Sequence, residues 1–453
     1  MTLVSDDKSK QEVSYLSPGF TQVKGQTSHP RPGWEWVESS VWTENMLTTL
    51  VNGVKGGKWF SLIDKVYRPL TLLIAWKKVR RNKGAGGIDN ISIERFQEKA
   101  SVYLEELHKE LKEGTYQAKA VKRVYIPKGD GKKRPLGIPT IKDRIVQMAV
   151  KIVIEPILEN DFCDMSYGFR PKRGCKGALK EVQHWLDEGY NWVLDADLKS
   201  YFDTIPHDEL MEKLENYISD GRILALIKGW LKQDIMEEGK SWIPTEGSPQ
   251  GAVISPLLAN LYLNDLDKLM TGQGIKIVRY ADDFVILTKS KKNAEILSEI
   301  VDIWTKENGL TIHPDKTHIG NWQIEDQGFE FLGYRFEQGK RWVRQKSILK
   351  FRDTIRKKTK RTCGKSILDI IDDLNRTLRG WYNYFKHVNK WNMKTFDGFV
   401  RRRLRAILRK QQKRPGFGRC PRDHMKWPNA YFANLGLFTM ETVRALEVAS
   451  RSR

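Results

Sequence analysis

At 453 residues, with a net charge of +22 and a pI near 9.6, the chain is long enough for two or three domains and basic enough to attract a polyanion, usually nucleic acid. Its four cysteines, Cys163, Cys175, Cys363 and Cys420, form no Cys-x-x-Cys pair, which excludes a zinc module and a disulfide framework and reads as reduced thiols in a cytoplasmic protein. The polar, mixed-charge start Met1–Lys10 excludes a signal peptide, and no apolar run reaches the length of a membrane span. Charge alone leaves ribosome-associated and membrane-surface roles open, and 15 Trp residues suit base stacking and core packing alike.

In chain order, residues 1–33 are rich in Ser, Gln, Lys, Gly and Pro and read as a flexible or loosely docked leader. Trp34, Trp36 and Trp42 begin the ordered region, and helical apolar spacing runs from Asn45 to Val54 and from Phe60 to Arg80. The glycine-rich stretch Asn82–Asp89 breaks the helix but lacks the strand-before, helix-after setting of a phosphate loop. Val121–Pro127 and Leu136–Pro139 read as strands of a hairpin with a basic tip, and Asp143–Leu158 as an amphipathic helix. Trp192–Asp197 begins as a strand that puts Asp195 and Asp197 on one face, and helices are expected over His207–Tyr217 and Ile254–Leu263. Two short apolar runs, Ile275–Val278 and Val285–Leu287, flank Arg279-Tyr280-Ala281-Asp282-Asp283-Phe284. The join is too tight for anything but a hairpin, and apolar residues on both faces place it inside a sheet rather than at an edge. Asn293–Glu307 reads as a helix stopped by Gly309. From Lys340 basic residues become dense, no Glu occurs before Glu441, and helices are expected over Ser347–Arg361, Ser366–Phe385 and Phe396–Lys413.

Two neighbouring carboxylates are costly to bury together unless a cation compensates them, so Asp282-Asp283 is either a solvated turn or half of a metal site. The upstream carboxylates favour the metal: hard divalent cations take oxygen ligands, and a pair of them held by three carboxylates can activate a hydroxyl and stabilise a leaving pyrophosphate. Tyr280-Ala281-Asp282-Asp283 after an apolar strand, with Asp197-Leu198-Lys199-Ser200-Tyr201-Phe202-Asp203 upstream, resembles the palm of a reverse transcriptase. More narrowly, the chain resembles the reverse transcriptase/maturase proteins encoded by bacterial group II introns, from about Trp34 almost to the C-terminus, with several motifs in the expected order.

The resemblance implies an α+β right-hand polymerase: the leader at 1–33, an N-terminal extension and fingers at 34–192, a palm with an antiparallel sheet at 193–339, and a helical thumb or maturase domain at 340–453. It implies that Asp197, Asp282 and Asp283, with the carbonyl of Leu198, hold two Mg²⁺ ions, with Mn²⁺ as a substitute, and that Phe202 excludes a 2′-hydroxyl. Lys128 and Arg134 would grip the incoming triphosphate, Arg having a donor fork that fits phosphate. Gln250 and Gly251 match the element packed against the template base and nascent pair, with Ala252 where the family commonly has a second glycine. Lys316 is a candidate to protonate pyrophosphate, against one exposed Lys among many. Arg170 in Ser166–Pro171 is either a nucleic-acid contact or a structural salt bridge, and Asp203 reads as structural, capping the helix that carries His207. Phe331-Leu332-Gly333-Tyr334 would grip the primer strand, and Arg401-Arg402-Arg403 with Gly380–Phe385 would meet duplex and intron RNA.

The implied activity is RNA-directed DNA synthesis from dNTPs on an RNA template, from a DNA or RNA primer, combined with intron-RNA splicing and retrohoming into target DNA. The expected setting is the bacterial cytoplasm, with no membrane partner and with monomer and homodimer both open. Many relatives carry a further endonuclease domain with histidines and paired cysteines; no such pattern is visible, so no DNA cleavage is expected. Two rivals stand beside this reading: a non-catalytic RNA chaperone, against which the carboxylates and Phe202 argue, and a reverse transcriptase repurposed for defence, repair or diversity generation.

Overall fold

The computed structural model describes residues 33–54, 56–127, 133–362, 364–388 and 390–451. The leader and the tip of the basic hairpin, with Lys128, lie outside these. Two compact units emerge, one from Met1–Ala178, Ala196–Phe284 and Leu297–Lys316, the other from Leu179–Asp195, Val285–Ile296 and Thr317–Arg453. Strands β3 and β7 below each begin in one unit and end in the other. Among the described residues, no helix is long and apolar enough to cross a membrane.

The first unit opens with α1 (Glu44–Asn52), α2 (Ile63–Val66), α3 (Pro69–Asn82), α4 (Ile93–Glu98) and α5 (Ala100–Glu113). The single helix expected over Phe60–Arg80 is split because Pro69, which cannot continue α2, starts α3 at its first turn. The hairpin follows as β1 (Val121–Pro127) and β2 (Lys133–Ile138), then α6 (Ile141–Glu159) and α7 (Cys175–Asp187). Thr140 caps α6 by accepting the Asp143 N–H at 3.2 Å. Helix α6 is the unit's central pillar: Ile145, Val146, Ala149, Val150, Val153 and Ile154 are wholly buried, and α3 packs along it. Next come β3 (Trp192–Asp197), α8 (Tyr201–Thr204), α9 (His207–Glu215) and α10 (Gly221–Leu231), then β4 (Ile235–Glu237) and β5 (Lys240–Trp242). The first sheet runs β2-β1-β4-β5, antiparallel except where β1 meets β4.

Helix α11 (Ser255–Gly272) is longer than its apolar pattern suggested, because Asn260, Asn264 and Asp267 are buried polar residues with partners. It leads into β6 (Lys276–Tyr280), β7 (Asp283–Thr288), α12 (Lys291–Glu307) and β8 (His318–Asn321). The sheet order is β6-β7-β3-β8, so β6 lies at an edge, correcting the expectation of a wholly interior hairpin. That edge is covered: Arg279 N–H donates to Met165 O at 2.9 Å, and Tyr167 N–H donates to Arg279 O at 2.8 Å.

The second unit contains the meander β9 (Phe329–Phe331), β10 (Tyr334–Glu337) and β11 (Lys340–Val343), and helices α13 (Gln345–Lys358), α14 (Ile367–Phe385), α15 (Lys390–Gln411), α16 (Pro421–Lys426), α17 (Asn429–Asn434) and α18 (Met440–Arg451). Ser366 caps α14 as its position before the apolar run suggests. Phe351, Trp381, Phe385 and Phe396 form one ring cluster with centroids 4.7–5.2 Å apart. Together with the buried Trp42, Trp76, Trp230 and Trp427, this assigns much of the tryptophan to core rather than to base stacking.

Candidate active site

The turn between β6 and β7 carries the two adjacent carboxylates. Ala281 holds φ +60°, a left-handed conformation that a non-glycine residue adopts at a cost of about 1–2 kcal/mol. A buried network holds it there. Arg279, 1 % exposed, pairs with the wholly buried Asp267 on α11 through Nε at 2.8 Å and Nη2 at 2.5 Å. Its Nη1 donates to Asn260 Oδ1 at 3.0 Å and to the Ala281 carbonyl at 2.9 Å. Asn260 Nδ2 in turn donates to Gly168 O at 2.8 Å, and a Cβ on Gly168 would stand 2.3 Å from Ala281 N. Thus Ser166–Pro171 is a buttress for the turn. Arg279, Asp267 and Asn260 were not singled out from sequence; the only local sign was a charged residue inside an apolar strand.

Strand β3 ends at Asp197, whose carbonyl accepts from His313 N–H at 2.8 Å, while Leu198, 2 % exposed, bridges Ile312. This brings Lys316 close, and its Nζ donates to Asp197 Oδ2 at 2.8 Å. Half-exposed, that pair is worth about 0–1 kcal/mol. Burial pushes the Asp282 carboxyl above its ordinary value and the Asp197 charge adds to this, while Arg134 and Lys316 oppose it. The four side chains therefore lie in one electrostatic neighbourhood.

Oxygen donors whose charges repel suit a hard divalent cation, and the Asp197–Asp282 pair fits one. The full ligand set expected from sequence is not gathered: among the described residues, no group of three or more His, Cys, Asp or Glu side chains is arranged to hold a metal ion. Lys316 takes up one Asp197 oxygen, and like charges otherwise hold carboxylates apart. Asp195 is buried and accepts the Glu330 N–H at 3.4 Å.

Beside the carboxylates, Phe202 is 7 % exposed, and its carbonyl accepts the Ser248 N–H at 2.6 Å. Phe202 and Asp203 line a cleft of about 270 Å³ with Arg123, Trp242 and Pro249. Arg134 Nε donates to Gln250 Oε1 at 2.7 Å, and Gln250 Nε2 donates to Asp203 Oδ2 at 3.1 Å. Asp203 is therefore not the cap of α9, which begins after Pro206 with no side-chain cap. Gly251 holds φ +113°, and a Cβ there would lie 2.4 Å from Gly137 O. The close approach its glycine permits is to β2, where Gly137 N–H also donates to Gln250 O at 2.7 Å.

Several expected nucleic-acid contacts sit elsewhere. Arg170 has a 2 % exposed side chain that pairs with Glu159 through Nε and Nη2, while Nη1 and Nη2 also reach the carbonyls of Cys163, Ser166 and Phe162. All five donors are used internally, so the structural alternative holds. Gly333, at φ +83°, turns β9 into β10 and accepts the Arg344 N–H at 3.0 Å. Of the Arg401–Arg403 run, Arg401 is 9 % exposed beside Asp397, and Arg403 is tied to Thr359 by Nε at 2.9 Å and Nη2 at 2.7 Å. Arg402 lies over the Phe399 ring, and burial, with Arg419, Arg356 and Arg352 around it, lowers its pKa. Among the described residues, Arg403 has no carboxylate beside it either: burial, with Arg402, Arg356 and Arg361 around it, lowers its pKa.

Residues 126–336 match the family described as "Reverse transcriptase (RNA-dependent DNA polymerase)", and residues 348–425 match "Group II intron, maturase-specific domain". "Protein YkfC" of Escherichia coli (strain K12) is 36 % identical over 315 residues, 60 % of this chain and 82 % of that protein. "Group II intron-encoded protein LtrA" of Lactococcus lactis subsp. cremoris is 30 % identical over 360 residues, 64 % of this chain and 58 % of that protein. The "Uncharacterized 91 kDa protein in cob intron" of Schizosaccharomyces pombe is 27 % identical over 422 residues, 72 % of this chain and 51 % of that protein. The chain thus spans most of the first relative and little more than half of the other two. With a polymerase match over the carboxylate hairpin and a maturase match after it, the chain belongs to the reverse transcriptase/maturase family encoded by group II introns, RNA-directed DNA polymerases that carry a maturase-specific domain.

Proposed function

We propose that the site around Asp197 and Asp282 adds dNTPs to a primer 3′-hydroxyl under the direction of an RNA template, and that the C-terminal helices serve an intron RNA as a splicing maturase. The observation that carries the polymerase reading is that the Asp197, Arg134 and Lys316 charges all act on the Asp282 carboxyl, with Lys316 Nζ bonded to Asp197 Oδ2 at 2.8 Å. Residues 34–192 would then act as N-terminal extension and fingers, 193–339 as palm partly interleaved with the fingers, and 340–453 as thumb or maturase domain, with 1–33 as leader. Mg²⁺, or Mn²⁺ in its place, would be taken by the Asp197–Asp282 pair, with Asp283 and the Leu198 carbonyl as the further ligands that the family resemblance implies. When bound, such cations lower the pKa of an attacking hydroxyl and neutralise a leaving pyrophosphate.

The chain's own residues do the rest. Phe202, held by its carbonyl bond to Ser248, gives a fixed wall against the sugar's 2′ position. Arg134, oriented through Nε, turns its fork toward phosphate, as Lys128 would from the hairpin tip. Lys316, which donates to Asp197 Oδ2 at 2.8 Å, would give a proton to the leaving group. For the maturase role, the like-charged group Arg352, Arg356, Arg402 and Arg419 supports an RNA surface.

Primer extension on poly(rA)/oligo(dT) with Mg²⁺ tests the reading, comparing wild type with Asp282→Ala. Wild type should extend and the variant should not, while both bind RNA with nearly equal affinity. A folded, RNA-binding wild type that fails to extend would overturn the polymerase assignment in favour of a chaperone.

A further inference from the structure

We infer that Asp203 is a positioning residue for the incoming nucleoside triphosphate: it orients the Gln250 carboxamide, through which Arg134 is held over the site. The inference rests on the polymerase reading above and assigns Asp203 a part in it.

Three segments distant in sequence meet in this chain of contacts: Arg134 on β2, Gln250 on the loop before α11, and Asp203 on α8. Arginine can only donate and an ionised carboxylate can only accept. The Gln250 amide between them therefore has one orientation that satisfies both, oxygen to Arg134 and nitrogen to Asp203. Without Asp203 the amide is held only from its Arg134 end, and the two side chains are free to swing together.

The loop's backbone is already fixed. Gln250 O accepts the Gly137 N–H at 2.7 Å, Ser248 N–H donates to Phe202 O at 2.6 Å, and Gly247 N–H donates to Ile205 O at 2.8 Å. A Cβ on Gly247 would stand 2.7 Å from Asp203 O. What remains free is the Gln250 side chain, and Asp203 sets it. Arg134 gives its Nε to Gln250, and among the described residues its two Nη groups take no hydrogen-bond acceptor. That leaves the paired donors suited to phosphate oxygens. Phe202 and Asp203 are consecutive, so one short helix carries both the wall facing the sugar and the anchor of the triphosphate grip. Burial raises the pKa of the Asp203 carboxyl, with Arg123 and Arg134 opposing it.

The test is single-nucleotide extension with dTTP titrated on poly(rA)/oligo(dT), using Asp203→Leu, Asp203→Asn and Gln250→Ala alone and Asp203→Leu with Gln250→Ala. Losing one positioned hydrogen bond should raise KM for dTTP about tenfold in Asp203→Leu with kcat within about twofold. Asp203→Asn keeps an acceptor oxygen and should stay near wild type. In the Gln250→Ala background, Asp203→Leu should add nothing, because the residue acts through Gln250. If thermal melting shows Asp203→Leu unfolded, Asp203→Ser, too short to reach the amide, carries the same expectation. An unchanged KM, an Asn variant as weak as the Leu variant, or a full additional loss in the Gln250→Ala background would each overturn the inference. Failure of wild type itself to extend would overturn the polymerase reading and this inference with it; extension by wild type confines any failure to Asp203.

Discussion

Asp267→Asn removes the charge that compensates Arg279, a guanidinium 1 % exposed beneath the carboxylate turn. Breaking a buried ion pair from one side costs about 3–5 kcal/mol, because the other charge stays buried and uncompensated. That would lower the melting temperature by about 6–20 °C if the unit melts as a block of 150–250 residues. The paired replacement Arg279→Met with Asp267→Leu removes both charges at similar volume and should recover most of this, since apolar substitutes for a buried pair are often neutral. It cannot recover all: Asn260 Oδ1 and Ala281 O lose their donor, worth about 1–3 kcal/mol if left unsatisfied. Thermal melting followed by tryptophan fluorescence measures stability, and primer extension on the same samples measures activity. The double variant should fold yet extend poorly, because the donor to the Ala281 carbonyl, which holds that residue at φ +60°, is gone. A single variant that melts like wild type, or a double variant with full kcat, would refute the claim that this pair supports the turn.

Three further outcomes are expected. Gly168→Ala drives a Cβ to 2.3 Å from Ala281 N and should cripple extension more than it lowers RNA affinity; a variant with normal kcat would show that the turn can shift freely. Phe202→Ala should admit ribonucleotides by about 10–100-fold relative to dNTPs, read by competing UTP with dTTP, and unchanged discrimination would remove the ring as the sugar's wall. Burial holds the Asp143 carboxyl above its ordinary value despite hydrogen bonds from Tyr116 and Thr140. The folded state therefore keeps this proton more tightly than the unfolded chain: the stability it lends is full below the ordinary carboxylate value and is lost as pH rises through the raised one. Asp143→Asn should flatten the pH dependence of the urea midpoint over that window, and an unaltered slope would locate the effect in another group.

The site's main parts were legible from sequence wherever local pattern sufficed. Two β-branched runs around Asp282-Asp283 gave the hairpin, and Ser366 or Gly309 gave helix ends within a residue or two. The match to a polymerase motif then named Phe202, Gln250 and Arg134 together, and the structure does bring Gln250 and Arg134 into contact. Partners remote in sequence were not legible. Nothing near Arg279 says that Asp267 and Asn260 will close over it, since that depends on how α11 packs. The edge position of β6 is hidden for the same reason, because Met165 and Tyr167 supply the missing partner and keep the strand buried. Arg170 could not be told from a surface arginine, because the carbonyls that consume its donors come from a turn with no distinctive composition. Likewise Arg401 and Arg403 look alike in a basic run, yet neighbours on other helices bury one and tie down the other.

The strap laid by Met165–Tyr167 along β6 also sets an order of assembly. During synthesis the strap and then α11 leave the ribosome before Arg279 does, so β6 emerges after its carboxylate partner and its edge partner, and before its sheet neighbour β7. The same contacts offer a substrate-free gauge of the finished turn. The amide hydrogens of Tyr167 and Arg279 can exchange with solvent only when strap and strand part. Their protection in deuterium exchange would therefore fall in any variant that loosens the carboxylates.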